Sequence, residues 1–264
     1  MPISPIVDRL LAARTAGEPV VIYGDYDVDG VTSTALVTEV LDSLGWCVSH
    51  FLPNRLDEGY GLSPDGIEHC LRHCPASLLL AVDCGSTAVE TIRALRSRNV
   101  DVIVLDHHQI ADPPPEATAL VNPRLAGDKA HGTELCSVGL GFKLAHALLK
   151  RGRDLGIPEA LAFDLKTLLD LVALGTIADL VPLRGENRIL VRAGLERLNQ
   201  TQRPGLQALC EVAQITSSIG SYEVGFLLSP RLNAAGRLED AREALDLLLA
   251  SDYPTATRIA RSID

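Results

Sequence analysis

Aromatic side chains are scarce in this chain: 4% of 264 residues, with a single tryptophan. Its interior therefore has to be aliphatic, and a hydrophobic content of 47% supplies the material. Long apolar runs are missing as well. None approaches the roughly 20 residues that span a bilayer. Met1-Pro2-Ile3-Ser4-Pro5 has neither the basic stretch nor the apolar run of a secretory signal. The expectation is a cytoplasmic protein with no membrane partner. Basic residues are outnumbered, 24 Lys and Arg against 34 Asp and Glu, for a formal net charge of −10. That argues against a passive basic platform for nucleic acid. It leaves open a nucleic-acid enzyme whose acids are taken up by metal. Cysteine is limited to six residues. His69 and His73 flank Cys70 and Cys74, but no second ligand pair follows at zinc-site spacing, so all six are read as free thiols. No Gly-x-Gly-x-x-Gly follows the first apolar run, which speaks against a plain nucleotide-binding domain. There is no clear repeat, no low-complexity tract and no obvious cysteine nucleophile beside a partner base.

What the chain does have is a set of acids at the ends of apolar runs. Asp25, Asp27 and Asp29 alternate just beyond the run Val20–Tyr23, which is β-branched and bounded by Gly17 and Gly24. In an extended segment, positions two apart project to one side, so the three charges would crowd together. Close carboxylates resist ionisation unless a cation neutralises them, and a divalent metal is the simplest partner. Asp83 follows the run Leu78–Val82, and Asp106-His107-His108 follows the run 100–105. Taken singly, Asp83 and Asp179 read as capping or turn residues, while two imidazoles beside a carboxylate suit a catalytic metal.

The same runs give the fold class. Strands at Val20–Tyr23, 46–52, Leu78–Val82, 100–105 and 119–122 alternate with helices at 30–44, 64–74 and 87–98. That rhythm predicts an α/β fold, a parallel sheet flanked by helices on both faces. Helical patterns at 137–151, 158–173, 187–199, 204–214 and 239–250 predict a mostly helical C-terminal part. The expected division is an α/β core over 1–152 and a helical remainder over 153–264 that carries Asp179. In open parallel sheets functional groups gather beyond the carboxyl ends of the strands, so acids distant in sequence can meet. Carboxylates with His suit hard or borderline ions such as Mn²⁺ or Mg²⁺. Two such ions about 3.5–4 Å apart can grip both the attacking and the leaving oxygen of a phosphoryl group.

The order Asp27-Val28-Asp29, Asp83, Asp106-His107-His108, Asp179 resembles the DHH phosphoesterase superfamily. The wording of the stretches Tyr23 to Thr32, Leu52 to Arg55, Gly59 to Leu62, Val82 to Gly85, Gly175 to Asp179 and Pro230 to Arg237 resembles its RecJ-like branch of single-strand-specific DNA exonucleases. The resemblance runs from about residue 18 to the end. It implies a two-metal hydrolase using Mn²⁺ or Mg²⁺, with Asp27 on one ion, Asp29 on the other, and Asp83 bridging. His107 and Asp179 would complete the second site, His108 would face the scissile phosphate, and Asp25 would be a ligand or a neighbour of one. The implied catalytic set is Asp83, His107 and His108. Arg55, Tyr60, Arg231, Asn233 and Arg237 would touch the strand, the last three from a loop of small residues. Tyr23 stands where many members have His, and a phenol with a pKa near 10 is a poor ligand.

The implied reaction releases 5′-mononucleotides from the 5′ end of single-stranded DNA in repair and recombination, with other repair proteins as further partners. The resemblance also implies a second, glycine-rich C-terminal domain. The chain stops at Ser262-Ile263-Asp264 before it, so weak and poorly processive activity is expected of this piece. Two alternatives remain at this stage: a DHH enzyme for short oligonucleotides or small nucleotides, and a non-enzymatic scaffold on the same fold.

Overall fold

The structure, a computed structural model, describes residues 3–54, 58–126, 134–238 and 241–264, with only the backbone described for 126 and 235–238. Five parallel strands, β1 (Val20–Tyr23), β2 (Val48–Phe51), β3 (Leu78–Val82), β4 (Asp101–Leu105) and β5 (Ala119–Val121), form one sheet in the order β2-β1-β3-β4-β5. Period-two alternation sorts their side chains between two apolar layers. Val20, Ile22, Leu78, Leu80 and Ile103 join one cluster, and Val21, Tyr23, Leu79, Ala81 and Val102 join the other. The first layer is covered by α1 (Ser4–Ala16), α2 (Val28–Ser43) and α5 (Ser137–Asp154), the second by α3 (Pro64–His73) and α4 (Val89–Ser97). Both faces are therefore dry, as the near-continuous apolar runs require.

The second half wraps the first layer with α6 (Pro158–Ala162), α7 (Leu169–Ala178), α8 (Gly185–Leu198), α9 (Pro204–Val212), α10 (Ser229–Leu238), α11 (Ala241–Leu249) and α12 (Tyr253–Ser262). α2 lies between the sheet and these helices and is buried nearly all round. Two of its hydroxyls are satisfied within the helix: Thr32 donates to the Val28 carbonyl (2.7 Å) and Thr34 to the Gly30 carbonyl (2.8 Å). One apolar cluster runs from Ile6 through Leu36 and Leu171 to Ile263.

Four expectations are corrected here. The predicted helix over 158–173 is three pieces, α6, a 3₁₀ turn at Leu165–Leu168 and α7. Asp164 breaks it by accepting from the Lys166 N–H (3.0 Å), a local bond that competes with the helical one. Residues 230–237 lie on a helix rather than in a loop, continuing a π-helical segment at Val224–Leu228. α1 and α12 were not anticipated, although each carries proline in its first turn. Residues 25–29 are a strand-to-helix turn and not an extended segment, since α2 already begins at Val28.

All six cysteines are free thiols. His69 pairs with Glu58, and the His73 ring meets the His69 carbonyl. No helix among the described residues is long and apolar enough to cross a membrane.

Candidate metal centre

The chain leaves β1 for β2 on one side and returns to β3 on the other, so strand order reverses between β1 and β3. That reversal opens a crevice beyond the strand ends, and the acids collect there. Asp25 follows β1, Asp83 follows β3, and His107 and His108 follow β4. Asp27 caps α2, accepting from the Gly30 N–H (3.0 Å), and Asp29 lies in the first turn of that helix. A Cβ at Gly30 would overlap the Asp25 carbonyl, so glycine permits the tight passage from strand to helix. Asp179 comes from the other half, at the C-terminus of α7. Gly175, one turn earlier, lets α7 come this close. A Cβ there would stand 2.8 Å from Val138 Cγ1 and 3.2 Å from Asp29 Oδ1, and would overlap Thr32 Oγ1.

The predicted ligands converge. His107 Nε2 lies 3.4 Å from Asp83 Oδ1, 3.6 Å from Asp179 Oδ2 and 3.8 Å from Asp29 Oδ2. Three groups offer ligand atoms within 4.8 Å of one another: Asp25, Asp27 and Asp83; Asp29, His107 and Asp179; and Asp83, His107 and His108. Asp83 belongs to two of them. Its φ of +63° is left-handed, a conformation that costs a residue with a Cβ energy. Its N–H still donates to the Leu105 carbonyl (2.9 Å), so the strain turns the chain only after the sheet ladder is complete.

The start of α5, missed as part of the site by the sequence reading, holds two of these acids. The N–H groups of Ser137 (2.6 Å) and Val138 (2.9 Å), at the start of α5, both donate to the Asp29 carboxylate, and Ser137 Oγ donates to Asp83 Oδ1 (2.8 Å). A helix N-terminus offers free N–H groups and favours negative charge. Ser137 opens the helix predicted over 137–151, a position that marks a helix start but not its partners. Asp106, named in the triplet but given no role of its own there, acts as a brace. It accepts from the Ser86, His107 and His108 N–H groups and from His108 Nδ1 at 2.8–3.1 Å.

Burial drives the electrostatics. It pushes the Asp25 carboxyl up to about 7, with the Asp27 charge adding to it, while N–H groups of Tyr26 and Gly61 pull back. Burial and then Asp27 raise Asp29 to about 6, and burial and then Asp29 raise Asp179 to about 7 and Asp83 well above the carboxylate range. Burial also lowers the His107 imidazole to about 4, helped by His108, so the ring is neutral at neutral pH. Asp106 goes the other way. Burial works to raise it, but the hydrogen bonds from His108 and Ser86 prevail and hold it at about 2. An ionised Asp106 can only accept, so His108 Nδ1 donates to it and Nε2 faces outward, 3.4 Å from the Tyr60 hydroxyl.

The donor set fits divalent cations. Asp25 Oδ1, Asp83 Oδ2, His107 Nε2 and Asp179 Oδ2 are buried without a hydrogen-bond partner. Four such atoms facing one crevice would each carry a desolvation cost, and shared cations relieve them together. Oxygen ligands with one neutral imidazole match Mn²⁺ or Mg²⁺.

The predicted substrate residues are more dispersed. Tyr60 lies beside His108 and meets Tyr26 edge-on at 6.1 Å. Arg231 is engaged elsewhere, donating to Asp264 Oδ1 (2.6 Å) and to the Leu227 carbonyl (2.7 Å). Asn233 is partly buried on α10. Arg55 and the Arg237 side chain lie outside the described residues. Tyr23 stands in the second apolar layer, its hydroxyl donating to the Gly61 carbonyl (3.1 Å).

A strand-order crevice that gathers Asp27, Asp29, Asp83, His107 and Asp179 agrees with the sequence profile of the DHH family, N-terminal domain, which matches residues 19–176; the chain belongs to that family. Within it, the chain is 41% identical over 258 residues to the single-stranded-DNA-specific exonuclease RecJ of Bacillus subtilis (strain 168), covering 97% of this chain and 31% of that protein. It is 39% identical over 269 residues to the RecJ of Escherichia coli (strain K12), covering 98% of this chain and 46% of that one. The crystal structure of exonuclease RecJ bound to manganese superposes with a TM-score of 0.87 at 36% identity, over 100% of this chain and 64% of that chain. The chain thus spans less than half the length of these curated relatives.

Proposed function

We propose that this chain is the metal-binding half of a 5′→3′ exonuclease that removes 5′-mononucleotides from single-stranded DNA, using two Mn²⁺ or Mg²⁺ ions. The observation that carries the reading is the meeting of three ligand groups, two of them sharing Asp83, at the strand-order crevice. The relatives' names supply the substrate: they are single-strand-specific exonucleases at 39–41% identity. A cytoplasmic role in DNA repair and recombination goes with that substrate.

In this reading Asp25, Asp27 and Asp83 would hold one ion, and Asp29, His107 and Asp179 would hold the second, with Asp83 within reach of both. Bound there, two such ions supply Lewis-acid stabilisation of the attacking and leaving oxygens and lower the pKa of water. The protein's own part is positional. The start of α5 fixes Asp29 through two N–H donors and Asp83 through the Ser137 hydroxyl. Burial keeps the His107 ring neutral at neutral pH, as a metal-ligating imidazole must be, with Nε2 facing the acids. Asp106 anchors His108 and raises its basicity, so that a protonated His108 Nε2 at the open rim can donate to a phosphate oxygen. Tyr60, exposed beside it, is placed to contact the terminal nucleotide. Water adds to phosphorus with loss of one proton, the bond to the 3′ oxygen breaks, and the leaving oxygen takes up one proton, so the step is proton-neutral.

The test is release of labelled mononucleotide from 5′-labelled single-stranded DNA in Mn²⁺, with duplex DNA and a dinucleotide as comparators. Release from the single strand, abolished by EDTA and by Asp83→Asn, is expected. No release from the single strand by folded protein, or cleavage of the dinucleotide alone, would overturn the strand assignment.

A further inference from the structure

Arg124 has no part in the mechanism above, yet it is built into the same site. It lies in the 3₁₀ turn Pro123–Ala126, directly after the edge strand β5. Its N–H donates to Asn122 Oδ1 (2.9 Å). Asn122, fully buried, in turn donates through Nδ2 to Ser86 Oγ and to the His108 carbonyl, both at 2.9 Å. The Arg124 side chain then folds back so that Nε donates to the His107 carbonyl (2.9 Å). The stem is fixed at two points while the residue as a whole stays exposed. Among the described residues, Nη1 and Nη2 make no hydrogen bond or ion pair, and no other Arg or Lys side chain bonds to Asp106, His107 or His108.

An exposed backbone carbonyl such as that of His107 can be satisfied by water. Holding a full cationic fork there adds something a water does not: a charge of fixed position beside His107, itself one of the residues that line the crevice. A polyanionic strand entering a crevice lined by carboxylates needs a positive contact at its rim. A guanidinium whose Nε edge is already occupied presents the remaining Nη edge to a phosphate oxygen with little freedom left to lose.

We propose that Arg124 is a substrate-binding residue, its Nη edge gripping a non-bridging oxygen of the backbone phosphate next to the scissile one. The inference rests on the phosphodiesterase reading of the site. It is tested by comparing wild type, Arg124→Ala and Arg124→Lys in Mn²⁺ over a series of NaCl concentrations. kcat and KM on single-stranded DNA, strand binding by fluorescence anisotropy and Mn²⁺ affinity by calorimetry are all measured.

Removal of one arginine–phosphate contact is expected to lower kcat/KM roughly five- to twentyfold, mostly through KM, and to flatten the log–log salt slope by about 0.7. Arg124→Lys restores the slope but not the full affinity, because lysine is a point charge without the fork. Mn²⁺ affinity stays within about threefold of wild type. An unchanged salt slope in Arg124→Ala overturns the proposal. So does a fall in Mn²⁺ affinity large enough to account for the lost activity, which would make Arg124 a brace for His107. Should wild type bind the strand without cleaving it, the phosphodiesterase reading fails, and the salt slope of binding alone still decides for or against Arg124.

Discussion

Asp25→Asn in the metal-free protein offers the sharpest test of the electrostatics. Asp25 is 1% exposed, one of its oxygens has no partner, and its carboxyl is pushed from an ordinary 3.8 to about 7. Each pKa unit corresponds to about 1.4 kcal/mol of preference between protonation states, so keeping Asp25 ionised in the fold costs roughly 4 kcal/mol. The sign follows from proton binding. The folded protein holds this proton more tightly than the unfolded chain, so its stability falls as pH rises from about 4, where the unfolded carboxyl ionises, to about 7.

His107 acts in the opposite sense. Its pKa is lowered to about 4, so its neutral, buried form contributes stability above about 6.5 that is lost as pH falls toward 4. The raised carboxyls of Asp29, Asp83 and Asp179 add to the raw curve as well, and the difference between wild type and Asp25→Asn removes what the two proteins share. Urea unfolding in EDTA, followed by the fluorescence of the buried Trp46 and by circular dichroism, gives that difference between pH 4 and pH 8. The variant should gain about 2–4 kcal/mol on wild type across this range and level off above pH 7. The constant cost of the amide drops out of the change. A flat difference would refute the argument that Asp25 is held ionised at neutral pH against its surroundings.

Ser137→Ala removes the hydroxyl donor to Asp83 and leaves both N–H donors to Asp29. Mn²⁺ affinity by calorimetry should fall about 10- to 100-fold, as when ligand-orienting groups are lost elsewhere, with the fold intact by circular dichroism. Gly175→Ala pushes a methyl into Thr32, Val138 and Asp29; unfolding free energy should drop by about 1–3 kcal/mol, and Mn²⁺ binding should weaken with it because Asp179 rides on α7.

The strands were legible because a sheet buried on both faces leaves unbroken aliphatic runs, and Leu78–Val82 and Val20–Tyr23 match their expected bounds. Asp83 and His107 stand at the ends of such runs, where parallel sheets place their groups, but only the resemblance to the DHH superfamily gave Asp83 a role beyond capping. The path between Asp25 and Asp29 was not. Alternate spacing suggested a strand, but Asp27 caps a helix that starts one residue later. The break at Asp164 was hidden by an apolar period that continues through it. The helix over 230–237 was masked by its small residues, which fit a loop as well as a helix. Ser137 and Arg124 act through N–H groups and carbonyls, whose partners lie up to about a hundred residues away in sequence. No spacing rule reports such contacts.

The position of α2 has a consequence for how the crevice keeps its dimensions. Asp27 caps it and Asp29 sits in its first turn, Asp25, Asp83 and His107 follow strands of the sheet on one side, and Asp179 reaches in from the helices on the other. With a single dry interior joining all three, any sliding of one half against the other would change the spacing of the donors directly. The molecule therefore carries its own ruler, and a substitution deep in the α2–α7 seam, far from any phosphate, would be felt as a change in the gauge of the site.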